Sequence, residues 1–187
     1  AQQATSLRAD VALGQDPDAD CLAIIDEQVC YLGDEYRLAL CLDHVLRSQK
    51  GPVVTNCATS RMAQELAAKY GVPFYRSAVG EANVVDTMLA TSAVFGGEGS
   101  GGPIDPRVGF VRDSFVGMAL VLAAMAARKM KVGDLAAELP RYEIVKQSLQ
   151  LAPGTLSAVL DAVESRFREA KSDRLDGLRL DWPDRWL

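Results

Sequence analysis

Histidine is nearly absent from this chain: His44 is the only one in 187 residues. That scarcity weakens any Ser-His-Asp apparatus or His-ligated metal site. His44 itself falls in a helical run, Asp34–Arg47, and reads as an ordinary helix residue. No CxxC pair exists either. Cys21, Cys30, Cys41 and Cys57 lack the spacing of a structural zinc site. A chain this rich in Ala, Leu and Val has little use for a disulfide framework, so reduced thiols and a cytoplasmic setting are expected. Basic charge is not in excess. A net charge of −5 and a pI near 4.9 argue against nucleic acid or an anionic membrane as main partner. The longest apolar run, Phe115–Ala127, has 13 residues and is too short to span a bilayer. "AQQATSLRAD" at the start has no apolar segment of the kind a signal peptide needs.

What is present is an ordinary globular composition, 49% hydrophobic and 24% charged, in which strand-like and helix-like runs alternate. "VALGQ", "CLAIID" and "QVCYL" read as strands. From Gly33 the pattern turns helical, with Leu38, Leu42, Val45 and Leu46 on one stripe. "GPVVTN" is a strand, Ser60–Tyr70 a helix closed by Gly71, "VPFYRSA" a strand, "EANVVDTMLATS" a helix and "AVFGG" a strand. A long helix follows from about Asp113, with Asp113 or Ser114 as its cap. Beyond a boundary at Pro140, "YEIVKQSLQL" reads as a strand, Leu156–Glu169 as an amphipathic helix and "GLRLDWPDRWL" as the opening of a further strand pair. This order predicts an α/β fold with a mostly parallel sheet covered by helices on both faces. Both ends of the chain fall in mid-pattern, as if cut from something longer.

Two stretches carry chemistry. In "GQDPDADCLAIIDE", Asp16, Asp18 and Asp20 recur at every second position, so an extended backbone would turn all three carboxylates to one side. Three like charges need water or a cation between them, and oxygen-only donors select Mg²⁺ or Ca²⁺. An EF-hand is the poorer version of this reading, because Cys21 stands where that loop needs glycine and no helix precedes Asp16. A solvated acidic turn is the alternative without chemistry. In "GGEGSGGPIDP", Gly97, Gly99 and Gly102 match GxGxxG. However, Pro103 and Pro106 follow and no helix opens inside the motif, which contradicts dinucleotide binding. Glu98 and Ser100 would instead offer a carboxylate and a hydroxyl suited to vicinal sugar hydroxyls, unless the segment is a plain surface loop.

Taken together, "DPDADCLAIIDE", "LGDEYRLAL", "VTNCATSRM", "VGEANV", "GGEGSGGPIDP" and "DGLRLDWPDRW" resemble the α-D-phosphohexomutases along nearly the whole chain. That superfamily includes phosphomannomutase/phosphoglucomutase and phosphoglucosamine mutase. The resemblance implies a four-domain, Mg²⁺-dependent enzyme that interconverts hexose 1- and 6-phosphates through a phosphoserine and a bisphosphorylated sugar. It implies metal ligands at Asp16, Asp18 and Asp20, and sugar contacts at Glu98 and Ser100. Val79 and Gly80 would lie in a second substrate-facing loop, and Arg61 would be placed to meet phosphate. Residues 1–32 would end domain 2, 33–140 would form an αβα domain 3 and 141–187 would begin domain 4. The serine loop would lie upstream of Ala1 and a phosphate-gripping loop beyond Leu187, so the chain alone is expected to be inactive. One departure stands out: the resemblance implies Arg after the third aspartate, and this chain has Cys21. A thiol does not replace a guanidinium. The competing expectation is a non-catalytic homologue that binds metal or sugar phosphate without turnover.

Overall fold

The computed structural model describes residues 9–187, so the reading of the first residues lies outside the described part. Two compact units divide the chain, one running to Tyr142 and the other covering Glu143–Leu187.

The first unit opens with a hairpin, β1 (Ala12–Gln15) antiparallel to β2 (Leu22–Ile25). "QVCYL" does not continue as a strand, and only Tyr31 bridges back to Ile25. The reason is local: the Asp26 side chain accepts from the Gln28 and Cys30 backbone N–H groups at 2.9 and 2.8 Å, so a turn captures donors that a ladder would need. Helix α1 (Asp34–Ser48) follows, with acidic residues in its first turn and Arg47 in its last, the arrangement its dipole favours. Its predicted stripe of Leu38, Leu42, Val45 and Leu46 is buried throughout.

Four strands form the central sheet in the order β4-β3-β5-β6. They are β3 (Val53–Asn56), β4 (Phe74–Ser77), β5 (Phe95–Gly97) and β6 (Pro103–Ile104). β3 pairs parallel with β4 and β5, and β6 returns antiparallel to β5. Helix α2 (Met62–Tyr70) carries the chain from β3 to β4, and α3 (Glu81–Thr91) carries it back across β3 to β5. Right-handed crossovers in opposite directions require these helices on opposite faces, and the core agrees. Val53 and Phe95 pack with α1, α2 and the later helix α4 (Ser114–Arg128), while Val54 packs with Val84, Met88, Ala93 and Ile104. Adjacent valines on one strand thus serve two cores, as period-two geometry demands. Gly71 closes α2 in the left-handed conformation, and Asp113 caps α4 by accepting from Phe115 and Val116 N–H. The three-layer αβα architecture with a mixed, mostly parallel sheet is the one expected. Sequence reading missed β6 and the short helix α5 (Val132–Ala137).

The second unit holds α6 (Leu156–Arg166) and the antiparallel pair β7 (Lys171–Asp173) and β8 (Arg179–Asp181). Trp182 meets Phe167 edge-on at 5.6 Å. "YEIVKQSLQL" is not a strand: residues 143–150 are exposed and irregular. Ile144 and Val145 favour extended backbone, but no neighbouring strand among the described residues completes a ladder for them. No helix among the described residues is long and apolar enough to cross a membrane.

Candidate functional site

In a sheet ordered 4-3-5, the chain crosses from β3 to β4 on one side and then back over β3 to β5, so the order reverses at the carboxyl ends of β3 and β5, where such sheets form a crevice. Asn56, which ends β3, and the residues after it to Ser60 interlock with Glu98–Gly102, which follow β5. The Thr59 hydroxyl and N–H both donate to Asn56 Oδ1, at 2.8 and 2.9 Å, and Gly99 N–H donates to Thr59 Oγ1 at 3.0 Å. Glu98 is 6% exposed. Its Oε1 accepts from Asn56 Nδ2 at 2.6 Å and from Gly80 N–H at 3.0 Å. The Val79–Gly80 loop and the Glu98 loop therefore converge, with Val79 exposed beside them. Ser100 is exposed at the tip, and its carbonyl accepts from Arg37 at 2.8 Å.

The aspartate loop joins β1 to β2. It is a turn rather than the extended run expected from the alternation, with Ala19 in the left-handed region and its N–H on the Asp16 carbonyl. As a result Asp16 and Asp20 come together with Cys21, their ligand atoms within 4.8 Å of one another, and Asp18 is exposed outside that group. The Cys21 N–H donates to Asp16 Oδ1, which is the main reason the Asp16 carboxyl is held below its ordinary value. Burial, and then the Asp20 carboxylate, push the Cys21 thiol up to about 11, so it stays protonated at neutral pH.

The two loops are fastened to each other through the start of α4. Ser114 donates from both backbone and hydroxyl to the Ala19 carbonyl, at 3.0 and 2.7 Å. Arg112 reaches Asp20 at 2.6 Å, Glu81 at 2.7 Å and Glu98 at 3.2 Å. A side chain at Gly102 would place its Cβ 2.5 Å from the Asp20 carbonyl oxygen, so glycine is what allows the two loops to touch. From beneath, Arg37 holds the Leu22 and Ser100 carbonyls together.

Of the predicted site residues, Asp16, Asp20, Gly80 and Glu98 are thus brought into one neighbourhood, with Val79 and Ser100 at its exposed edge. Arg61 stands at the N-terminal end of α2, close enough to Tyr142 to oppose the upward shift of its phenol. Sequence reading missed Arg112, Glu81, Asn56 and Arg37. Asn56, Glu81 and Arg37 lie in quoted motifs but were given no role there; Arg112 lies outside all of them. Arg112 had the weak signal of directly preceding a helix cap.

The family model for the phosphoglucomutase/phosphomannomutase α/β/α domain III matches residues 33–142. A Methanopyrus kandleri protein named "probable phosphoglucosamine mutase" is 30% identical over 183 residues, covering 96% of this chain and 40% of that protein. The chain thus spans about two fifths of the length of the curated relatives it matches. A Burkholderia thailandensis phosphoglucomutase/phosphomannomutase family protein has the same fold over 99% of the chain and 40% of its own, with a TM-score of 0.82 at 21% identity. Aspergillus fumigatus N-acetylphosphoglucosamine mutase, solved with GlcNAc-6P and magnesium, aligns over 87% of this chain and 42% of its own, with a TM-score of 0.58 at 17% identity. With a domain model matching more than half its length, and with this αβα fold, the chain belongs to the phosphoglucomutase/phosphomannomutase family of α-D-phosphohexomutases.

Proposed function

We propose that this chain supplies the metal loop and the sugar-recognition loop of a Mg²⁺-dependent phosphohexomutase that interconverts hexose 1- and 6-phosphates of mannose, glucose or glucosamine. The observation that carries the reading is the Arg112 cluster, which joins Asp20 of one loop to Glu98 of the other at the crevice of the sheet.

The donor set fits a hard cation. Two carboxylates approach each other and a third lies on the same turn, oxygen donors of the kind hard cations take. Asp16 and Asp20, with Asp18, would hold the ion. When bound, Mg²⁺ supplies charge neutralisation for a phosphoryl group brought to the loop. Glu98 would accept from a sugar hydroxyl on the Oε2 lone pair that Asn56, Gly80 and Arg112 leave open, with Ser100 donating or accepting beside it. Asn56 and Gly80 fix the carboxylate before the sugar arrives, so orientation is settled in advance. Arg61 would meet substrate phosphate from the α2 end.

On this reading residues 1–32 end the second domain of the parent protein, 33–140 form the third and 141–187 begin the fourth. The phosphoserine and a further phosphate-binding loop come from the parent protein outside these residues, so the isolated chain does not turn over. Four free thiols suit a cytoplasmic setting. The test is to assay the parent protein with hexose 1-phosphates and Mg²⁺. Turnover that disappears with Asp20→Asn supports the reading. No turnover with any of the sugars, even after Cys21→Arg, overturns it.

Cys21 favours a second reading, a homologue that binds without turning over. Its thiol faces the Ser100 carbonyl at 3.8 Å, where the family resemblance implies a guanidinium. Saturable binding of a hexose 6-phosphate with no isomerisation is the result that reading requires.

A further inference from the structure

Arg112 is the only cation that the described ion pairs give to Asp20, Glu81 or Glu98. The three carboxylates come from three separated segments: the hairpin turn, the first turn of α3 and the loop after β5. The Arg112 side chain is only 22% exposed and that of Glu98 only 7%, so water screens the cluster incompletely. The fit is also steric, since a side chain at Gly101 would run into the guanidinium. One positive charge set among three negative ones is shared between them, and a stronger hold on one carboxylate weakens the hold on the others.

Asp20 belongs to two sets at once. It pairs with Arg112, and it lies within 4.8 Å of the ligand atoms of Asp16 and Cys21. A cation on Asp16 and Asp20 competes with the guanidinium for Asp20, and the guanidinium then shifts its hold towards Glu98 and Glu81. We propose that Arg112 is a positioning residue that couples divalent-cation occupancy of the Asp16–Asp20 loop to the engagement of Glu98 in the sugar loop. The coupling rests on the reading of the aspartate loop as a divalent site. It is reciprocal by necessity: whatever occupies Glu98 changes cation affinity by the same factor as the cation changes affinity at Glu98.

The test is a double-mutant cycle read by Mn²⁺ affinity, with free Mn²⁺ followed by paramagnetic resonance on the 187-residue chain. Arg112→Gln removes the competitor and is expected to tighten Mn²⁺ binding about fivefold or more. Glu98→Gln keeps an oxygen for Asn56 and Gly80 but withdraws a charge from Arg112. The guanidinium then holds Asp20 harder, and Mn²⁺ binding weakens by about fivefold. In the Arg112→Gln background the same Glu98→Gln change is expected to shift affinity by less than about twofold. Arg112→Lys keeps the test open if Arg112→Gln misfolds. A lysine keeps the charge but has no fork to span two carboxylates, so the Glu98→Gln effect disappears there as well. If Mn²⁺ binds but Glu98→Gln acts equally in all backgrounds, the coupling is wrong while the metal site stands. If Mn²⁺ binds neither the wild-type chain nor any variant, the metal reading falls and the coupling falls with it.

Discussion

Asp43, on the C-terminal half of α1, and Arg112, just ahead of α4, each draw three polar partners, but with opposite charge balance. Asp43 is one carboxylate receiving Arg47 at 2.9 Å, the Tyr70 hydroxyl at 2.7 Å and Lys69 at 3.3 Å. Arg112 is one guanidinium facing three carboxylates. The first cluster has one positive charge left over, but the Arg47 and Lys69 side chains are 37% and 50% exposed, so water screens it. The second carries surplus negative charge in a partly buried crevice, beside further aspartates on the same turn. A folded chain keeps an uncompensated cluster only at some expense in stability. Architecture therefore explains the Asp43 cluster, whereas the charge balance of the Arg112 cluster suits the cation proposed for the aspartate turn.

The comparison breaks most visibly in the parent protein. Asp20→Asn is expected to lower turnover by on the order of 10²–10³, while Asp43→Asn leaves kcat within about twofold. Comparable losses of kcat from both would erase the distinction. Next in size is the response to Mg²⁺. Thermal unfolding of this chain at 100 times Kd should show about 2.7 kcal/mol of added stability, absent in Asp16→Asn and preserved in Asp43→Asn. Third is stability without metal. Asp43→Asn leaves Arg47 and Lys69 facing a neutral amide and should cost about 1–3 kcal/mol in urea unfolding. Asp20→Asn, which removes one of the excess negative charges, should stay within about 0.5 kcal/mol. Equal losses would make both clusters structural.

The smallest effect is with pH. Burial alone would raise the Asp43 carboxyl, but hydrogen bonds from Tyr70 and Arg47 and the Lys69 charge reverse that and hold it below the ordinary 3.8. A carboxyl depressed on folding contributes stability above its unfolded value and loses it as pH falls through the folded one. The stability gap between wild type and Asp43→Asn should therefore hold at neutral pH and close only below about pH 4. A gap that closes near pH 6 would point to a different group.

Much of the fold was legible because long periodic segments report their own burial. The stripe of α1, the double-sided burial of Val53 and Val54, the Gly71 stop and the Asp113 cap all follow from local rules. The failures came where a partner decided the outcome. "QVCYL" has strand residues, but the Asp26 carboxylate took the backbone donors. "YEIVKQSLQL" has them too, without a strand beside it. β6 is two residues long and exists because β5 offers it an edge. In the site, the aspartates and Glu98 were readable as unusual residue types in unusual spacing. Alternation predicted three carboxylates on one side, and a left-handed Ala19 replaced that line with a turn bringing Asp16 and Asp20 together.

The sequence by itself determined the layers and the placing of the aspartates and Glu98 on two loops of unusual composition, because periodicity and side-chain type are local properties. Only the tertiary structure decided that the aspartate turn and the glycine-rich Glu98 loop meet, and that Arg112 is the group between them. Asp20, Glu81, Glu98 and Arg112 are dispersed along the chain, and nothing in the local pattern of any one of them names the others. Their meeting follows from two crossovers running in opposite directions and a hairpin held against the start of α4.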